Sequence, residues 1–334
     1  MRVSHYAELA DRIVGGIGEA VKNQRKALDI EGVRYTESPD LKADIIHLSV
    51  IGPRSFYYAL RSRLKDTKLV INVHTTMEDT AGSYKFSHFI SKPFKYYLKV
   101  FYSQADLLVT PSDYTTELMK ENYGVKDENV KTVSNGVDKS KLEDYNSLRE
   151  ESREKHDLGG DVVFCVGNVF ERKGLSDFIK TAEKLPELDF VWFGKMYDDK
   201  IVSKQTRKQV ENAPENVKFT GFVDDIREAF AAGDIFFYPT LVENQGIPAF
   251  ESCYCQKPMV IRDIKAFDRD FTDEKNCLKG EDAEEFSEEI RRITEDDSLR
   301  EKISKEARKI YEKHSLETVG AELHETYREL LEDS

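Results

Sequence analysis

Short apolar runs alternate along the chain with stretches in which apolar residues recur every three or four positions, and this alternation occurs twice. Short apolar runs are typical of buried parallel strands, and the wider spacing is typical of helices that cover a sheet. The pattern therefore predicts an α/β protein with two doubly wound parallel sheets. The predicted strands are 2–6, 44–50, 68–73, 106–110 and 130–133 in the first half, and 161–166, 189–193, 217–220, 234–238 and 258–262 in the second.

A strongly charged stretch at 138–160 contains few apolar residues and separates the two halves. Such a composition is typical of a connection between domains, and we place the boundary near Leu158. The predicted organisation is an N-terminal domain at 1–158, a second domain at 159–314, and a C-terminal helix at 315–334 that packs back on the first domain. Because ligands of open α/β sheets bind beyond the carboxyl ends of strands, two such sheets predict a site in a cleft between the domains.

Length and charge limit the possible classes of function. The chain has 334 residues, and its 50 basic and 63 acidic residues give a formal net charge of −13. This charge argues against a general nucleic-acid-binding protein, because phosphate backbones bind cationic surfaces. The first residues lack the apolar core of a signal peptide, and no apolar run approaches the roughly 20 residues that span a bilayer, so we expect a cytoplasmic protein. The cysteines have no metal-site spacing and are expected to be reduced thiols, namely Cys165, Cys253, Cys255 and Cys277.

Two glutamates bracket a short segment that directly follows the predicted strand 234–238. If 246–253 is a helix, its first turn offers free N–H groups to an anion, Glu243 precedes that helix, and Glu251 lies inside it. In an acidic chain such a pair means little by itself, but a strand, a glycine and a helix around it are informative. The arrangement predicts a site that holds a sugar, a ribose and a diphosphate.

A pair of cations, Arg172 and Lys173, follows the predicted strand 161–166 and stands just before Gly174 and a predicted helix. Cations are disfavoured at the start of a helix, where the helix dipole is positive. A bound anion would remove this conflict, so the pair is a candidate clamp for a diphosphate. The alternative is an ordinary solvated basic pair.

Two features of the first half also lie after predicted strands. The glycine-rich loop 15–18 opens a helix and could bring backbone N–H groups close to a ligand, although it could equally be a simple turn. His74 ends the third predicted strand, where ligands of parallel sheets bind, although a structural histidine is the commoner explanation of a lone imidazole. Both remain candidates for the site.

The segment Tyr84 to Tyr102 is rich in lysine and aromatic residues, and no acidic residue occurs between Thr80 and Ala105. Aromatic rings and lysines on one amphipathic stretch suit the surface of an anionic membrane. The alternative is that the rings pack inside the protein. The segment therefore predicts a membrane contact, with some of its rings on the sheet.

Taken in order, these motifs resemble the retaining nucleotide-sugar glycosyltransferases of family 4, which have two Rossmann-like domains in the GT-B arrangement. Further matching positions are Pro111-Ser112, 135–138 and 221–223, so the resemblance spans nearly the whole chain. Within the family, the segments 16–28, 74–79 and 169–174 look most like enzymes that add glucose or galactose to diacylglycerol glycolipids. The resemblance implies that the first domain binds the acceptor and the second domain binds the donor.

The resemblance also implies roles for individual residues. Arg172 and Lys173 would neutralise the donor diphosphate. Glu251 would bind the ribose hydroxyls, and Glu243 would hold hydroxyls of the transferred sugar.

Other matching positions would complete the site. The backbone N–H groups of Gly16, Gly246 and Ile247 would bind phosphate, and His74 would lie beside the sugar. The family's proposed route is attack of the acceptor on the face from which the diphosphate leaves, with retention of configuration. The resemblance implies neither a metal nor another cofactor.

The predicted function is transfer of a hexose from a nucleotide sugar to a membrane lipid or glycolipid. We expect the nucleotide sugar to be a uridine diphosphate (UDP) sugar. The predicted location is the inner face of the cell membrane, as a peripheral cytoplasmic protein. One alternative is a glycosyltransferase that acts on a soluble sugar or a polysaccharide precursor. An alternative of another class is a two-domain sugar-binding protein without catalytic activity.

Overall fold

The computed structural model describes residues 1–9, 15–80, 87–197 and 202–332, apart from the side chains of 80 and 87–91. These residues form two compact units. The first unit comprises the described parts of Met1–Thr80, His88–Val137 and Lys313–Ser334, and the second comprises those of Ala81–Ser87 and Asp138–Glu312.

The strands are β1 (Arg2–Tyr6), β2 (Arg34–Thr36), β3 (Ile45–Leu48), β4 (Lys68–Asn72), β5 (Leu107–Thr110), β6 (Val130–Thr132), β7 (Val162–Val166), β8 (Asp189–Phe193), β9 (Val217–Gly221), β10 (Ile235–Tyr238), β11 (Met259–Arg262) and β12 (Leu278–Gly280). The α-helices are α1 (Gly16–Ile30), α2 (Pro53–Ser62), α3 (Met77–Thr80), α4 (Ser87–Tyr102), α5 (Asp113–Leu118), α6 (Arg149–Lys155), α7 (Leu175–Lys184), α8 (Lys204–Glu211), α9 (Arg227–Ala232), α10 (Ile247–Tyr254), α11 (Ala283–Glu295), α12 (Asp297–Lys313) and α13 (Leu316–Glu332).

Each unit is built on a parallel sheet in which six strands are described. The strand order is β2-β1-β3-β4-β5-β6 in the first unit and β9-β8-β7-β10-β11-β12 in the second. The prediction of two doubly wound parallel sheets is therefore confirmed. The sequence missed β2 and β12, because each has only three residues and neither is a continuous apolar run.

The core of the first unit lies on both faces of its sheet, because successive side chains of a strand point to opposite faces. Ile45 packs with residues of α1 and α13 on one face. Its neighbour Ile46 packs with residues of α2 and α4 on the other face. The strand β3 therefore carries apolar residues on both faces of the sheet, as is typical of parallel strands that are covered on both sides.

The C-terminal helix α13 returns to the first unit and packs against α1. Gly320 makes the contact close, since a Cβ atom there would lie 2.5 Å from the backbone oxygen of Ala27. The ring of Tyr327 is fully buried, and its hydroxyl lies 2.5 Å from Nδ1 of His47. The prediction that the last helix packs back on the first unit is confirmed.

The two units divide between Val137 and Asp138 in the structure, rather than near residue 158. The charged stretch belongs to the second unit because its cations form ion pairs there. Arg149 and Arg153 both bind the carboxylate of Asp234, with N–O distances of 2.6 and 3.0 Å. No helix in the described part of the chain has the length and apolar character needed to cross a membrane.

Candidate active site

The middle of the second sheet contains a point where the chain order reverses. β7 and β10 are hydrogen-bonded neighbours there, with β8 and β9 continuing on one side and β11 and β12 on the other. Ligands of open α/β sheets bind beyond the carboxyl ends of the two strands at such a point. The loops that leave these strands, 167–174 and 239–246, carry the predicted site residues Arg172, Lys173, Glu243 and Gly246.

These two loops are bonded to each other through Arg172. The backbone oxygen of Arg172 accepts a hydrogen bond of 2.8 Å from the N–H of Leu241. The guanidinium of Arg172 donates to the backbone oxygen of Val242 at 3.4 Å. The backbone of the predicted clamp is therefore fixed against the loop that carries Glu243.

Gly174 allows the close approach of the two loops. Its φ is +82°, in the left-handed region that favours glycine. A Cβ atom at this position would lie 2.1 Å from the backbone oxygen of Pro239. Any other residue would push the loops apart and separate the side chains between them.

Four side chains meet between the loops, around Oε1 of Glu243. The hydroxyl of Tyr238 donates to this oxygen at 2.6 Å, and the hydroxyl of Thr240 donates at 3.1 Å. Lys173 forms an ion pair with the same oxygen and donates to the Tyr238 hydroxyl at 3.0 Å. The structure thus brings together Lys173 and Glu243, as predicted members of one site, and adds two hydroxyl groups to them.

The charges of this cluster are set by burial and by the two cations. Burial would raise the pKa of Glu243, but the nearby charges of Lys173 and Arg172 outweigh burial and hold this pKa below its ordinary value. Burial, followed by the charge of Glu243, raises the pKa of Tyr238 well above its ordinary value. At neutral pH Glu243 is therefore an anion, and Tyr238 is a protonated donor.

Helix α10 begins beside this cluster. Gly246 precedes it with a φ of +85°, and a Cβ atom there would lie 3.2 Å from the ring of Tyr238. Ile247 is the first helical residue, and Pro248, the second, has no N–H to donate. The predicted N–H donors Gly246 and Ile247 therefore stand at the start of the helix, next to the glutamate cluster.

Glu251 lies one turn into α10 and has different neighbours from Glu243. Its pKa is raised to about 7, chiefly by burial, while Lys141 lowers the pKa and Asp138 raises it. The two glutamates of the motif therefore have different protonation behaviour. Glu243 is held as an anion, whereas Glu251 changes its charge close to neutral pH.

Gly16 and His74 belong to the first unit. Gly16 begins α1 after Gly15, whose φ of 109° is in the glycine region. His74 is buried just after β4, and burial lowers its pKa to about 4, so its imidazole is neutral at physiological pH. The side chains of Asn72 and Gln24 are hydrogen-bonded at 2.7 Å and fix α1 relative to the end of β4.

The predicted membrane segment is only partly described. Tyr84, Lys85 and Phe86 lie outside the described residues. Within α4, the rings of Phe101 and Tyr102 are buried against the sheet. The opposite face of α4 is exposed, and its exposed residues include Lys92, Tyr96 and Lys99.

Sequence reasoning missed Tyr238, Thr240 and Lys141 as parts of the site. Tyr238 had a detectable signal, since it places a hydroxyl at the carboxyl end of an otherwise apolar strand. Lys141 had none, because only the fold brings it near Glu251. Among the described residues, no group of three or more His, Cys, Asp and Glu side chains could hold a metal ion.

Two family models match the chain, one in each half. Residues 15–141 match the model described as Glycosyltransferase Family 4, and residues 148–310 match the model described as Glycosyl transferases group 1. A processive diacylglycerol alpha-glucosyltransferase from Acholeplasma laidlawii is 31% identical over 322 residues, which are 95% of this chain and 94% of that one. An alpha-galactosylglucosyldiacylglycerol synthase from Streptococcus pneumoniae is 30% identical over 70% of this chain and 63% of its own length.

Solved structures share the fold. The Anabaena protein Alr3699/HepE, solved with UDP and glucose, has a TM-score of 0.79 and 16% identity and covers 97% of this chain and 98% of its own. A sucrose-phosphate synthase from Thermosynechococcus elongatus has a TM-score of 0.80 and 15% identity, with full coverage of both chains. Both likenesses extend over the two units.

Proposed function

Because the chain belongs to glycosyltransferase family 4, we propose that it is a retaining enzyme that transfers glucose or galactose from a UDP-sugar to a membrane lipid or glycolipid. The similarity to a diacylglycerol glucosyltransferase over 95% of the chain supports the lipid acceptor. The main support for the placement of the donor site is the cluster of Arg172, Lys173 and Glu243, at the point where the strand order of the second sheet reverses. These residues provide both cations and a sugar-binding carboxylate at one place.

The cations act on the leaving group. When the bond between the anomeric carbon and the diphosphate breaks, its electron pair goes to the diphosphate oxygen. Arg172, Lys173 and the N–H groups at the start of α10 are fixed positive groups that stabilise this developing charge. They take the part that a metal ion has in other transferases, so the proposal requires no metal.

The carboxylates act on the rest of the donor. Glu243 accepts hydrogen bonds from hydroxyls of the transferred sugar, because it stays ionised beside Lys173. Glu251 accepts hydrogen bonds from the ribose hydroxyls. The family resemblance assigns Gly16 to the phosphate and His74 to the sugar, and both residues belong to the first unit.

Retention follows from attack on one face. The acceptor hydroxyl forms a new bond to the anomeric carbon on the side that the diphosphate leaves, and its proton passes to the departing phosphate oxygen. The anomeric configuration is therefore kept, and no covalent intermediate with the protein is formed. We assign no nucleophile to the protein.

The membrane contact is supported by an exposed surface of the first unit. On α4 it carries Lys92, Tyr96 and Lys99, and Tyr96 is 71% exposed. The neighbouring helix α2 extends this surface. It contacts α4 through Phe56 and Tyr97, whose ring centroids are 5.7 Å apart. The exposed apolar or aromatic residues here are Tyr57 and Leu60 of α2 and Leu64 in the turn that follows it, at 54, 46 and 74% exposure.

The charge of both helices fits an anionic bilayer. Residues 52–65 contain four basic residues and no acidic residue, and 81–104 likewise contain no acidic residue, in a chain with a net charge of −13. Exposed rings and leucines among cations are suited to the interface of an anionic membrane. We call the exposed residues Tyr57, Leu60, Leu64, Lys92, Tyr96 and Lys99 the interfacial surface. The proposed location is the inner face of the cell membrane, as a peripheral cytoplasmic protein.

The proposal is tested by offering labelled UDP-glucose and UDP-galactose with diacylglycerol in vesicles of phosphatidylglycerol or phosphatidylcholine. The expected product is a glycolipid whose anomeric configuration matches that of the donor, formed faster on the anionic vesicles. Glu243→Ala should abolish transfer but keep UDP binding. Product formation only with soluble sugar acceptors would favour the alternative acceptor, and no product with any sugar nucleotide would overturn the proposal.

A further inference from the structure

Tyr238 lies between the two charged residues of the donor cluster. It is the last residue of β10 and is fully buried. Its hydroxyl donates to Oε1 of Glu243 at 2.6 Å and accepts from Nζ of Lys173 at 3.0 Å.

The two roles of Lys173 compete. In the structure its ammonium is paired with Glu243, whereas in the proposed reaction it neutralises the diphosphate. When the ammonium turns to the diphosphate, Glu243 keeps its burial but loses the nearer of its two cations. A buried carboxylate that loses its partner is destabilised and tends to take up a proton or move.

We propose that Tyr238 is a positioning residue of the transfer reaction, whose hydroxyl holds the Glu243 carboxylate towards the sugar while Lys173 exchanges that carboxylate for the donor diphosphate. This inference rests on the proposed function. The exchange forms and breaks ion pairs and hydrogen bonds only, and no covalent bond of the protein changes.

The geometry of Tyr238 suits this task. Its ring is held between neighbours, with ring centroids 5.4 Å from Phe236 and 6.2 Å from Phe267. It stands on a strand in the middle of the sheet, whereas Lys173, Thr240 and Glu243 stand in connecting segments. A donor on a rigid element fixes its acceptor more accurately than a donor on a loop.

The test is Tyr238→Phe, which keeps the ring and removes the hydroxyl. Loss of a hydrogen bond to a charged group should lower kcat/KM for the UDP-sugar by about 10- to 100-fold. The affinity for UDP alone, measured by calorimetry, should stay within about 3-fold of the wild type, because UDP has no transferred sugar. The acid limb of the kcat/KM pH profile should move to higher pH, since Glu243 loses a hydrogen bond that lowers its pKa.

A purely structural role would give a different result. Loss of folded protein would reduce UDP binding and transfer in the same proportion and would leave the acid limb in place. Tyr327→Phe is a matched control, because it removes another fully buried hydroxyl from a 2.5 Å hydrogen bond in the first unit. This control should lower the melting temperature and leave the pH profile unchanged.

The inference is overturned if Tyr238→Phe lowers kcat/KM by less than 10-fold, if UDP affinity falls in proportion, or if the acid limb does not move. If this variant does not fold, Thr240→Val removes another donor to the same oxygen and should show the same shift of the acid limb to a smaller extent. A wild-type protein that transfers no sugar would instead overturn the proposed function. The two failures are therefore distinguishable.

Discussion

Arg172 is the residue whose charge should matter most for the rate. Its backbone is fixed by the bond to Leu241, so Arg172→Ala removes the guanidinium and leaves the loop bonded. We expect a loss of transition-state stabilisation of about 2–4 kcal/mol, or roughly 30- to 1,000-fold in kcat/KM. Steady-state kinetics with the UDP-sugar measures this loss.

The control for this prediction is Arg291→Ala. Arg291 is exposed on α11, so the substitution makes the same change of net charge away from the cluster. Its kcat/KM should equal that of the wild type. If Arg172→Ala also leaves kcat/KM unchanged, the diphosphate lies elsewhere and the assignment of Arg172 to the diphosphate clamp is wrong.

Glu251 should make nucleotide binding depend on pH. Burial raises its pKa to about 7, so it gains its negative charge as the pH rises through neutrality. The ionised form accepts hydrogen bonds from ribose hydroxyls, and UDP affinity should therefore increase between about pH 6 and pH 8. Calorimetric titrations of the wild type and of Glu251→Gln measure this effect.

The comparison between the two proteins isolates this carboxyl group, because the phosphate of UDP titrates equally in both experiments. Glu251→Gln cannot ionise, so its affinity should change less with pH. Parallel pH curves for the two proteins would remove Glu251 from the nucleotide site.

The sequence predicted individual site residues where local order was sufficient. Arg172, Lys173 and Glu243 follow apolar runs closely, and their strands are neighbours in the sheet, so their meeting could be expected from chain order. The partners of Glu251 could not be predicted, because Lys141 is separated from it by most of the second unit. Contacts of this kind depend on the three-dimensional path of the chain.

Among the elements, α2 is the one whose role the sequence did not suggest. Its apolar residues face both the core and the solvent, so periodicity alone did not distinguish the interfacial surface from the buried face. Tyr57 and Leu60 are neighbours on one face of α2, and Leu64 lies in the turn that follows this helix, which only the structure shows. For α4 the sequence did predict that some rings pack on the sheet, because its aromatic residues are too many to remain exposed.

Leu64→Glu should weaken membrane binding. Leu64 is the most exposed large apolar residue of the interfacial surface, and the substitution replaces apolar area with a negative charge. Burial of a leucine contributes about 1.5–3 kcal/mol, so binding to phosphatidylglycerol vesicles should fall by about 10-fold or more. Sedimentation with the vesicles measures the bound fraction.

Ile30→Glu is the matched control for this prediction. Ile30 is 47% exposed at the end of α1, which covers the opposite face of the first sheet. The Ile30→Glu variant should bind vesicles as well as the wild type does, and both variants should keep the UDP affinity of the wild type. Equal vesicle binding by Leu64→Glu and the wild type would exclude the turn after α2 from the membrane contact.

The fold of the whole molecule followed from the sequence more completely than its division into units. The two parallel sheets and the returning helix α13 are confirmed, because apolar runs and helical spacing report burial directly. The division between Val137 and Asp138 was not evident, since a charged stretch can be a linker or an ion-paired part of a unit. The contacts of Arg149 and Arg153 with Asp234 show that here the stretch is part of the second unit.

At the scale of the whole molecule, mild acid should act oppositely on the two units. In the first unit His5, His47 and His74 are buried, and burial lowers their pKa values, to about 3 for His47 and about 4 for His74. The unfolded chain therefore binds protons first as the pH falls below about 6.5, and the first unit loses stability. The loss at pH 5 should be roughly 2 kcal/mol each for His47 and His74.

In the second unit the effect of mild acid on stability has the opposite sign. The pKa of Glu251 is raised to about 7 and that of Glu289 is also raised, in both cases chiefly by burial. Between about pH 7 and pH 4.5 the folded unit binds more protons than the unfolded chain, so its stability rises as the pH falls. Amide hydrogen exchange at pH 7.5 and pH 5, corrected for the intrinsic exchange rates, should show faster opening of β3 and β4 and slower opening of β10 and α10. Glu251→Gln should reduce the gain in the second unit and leave the loss in the first, whereas equal weakening of both units by acid would contradict this assignment of the buried charges.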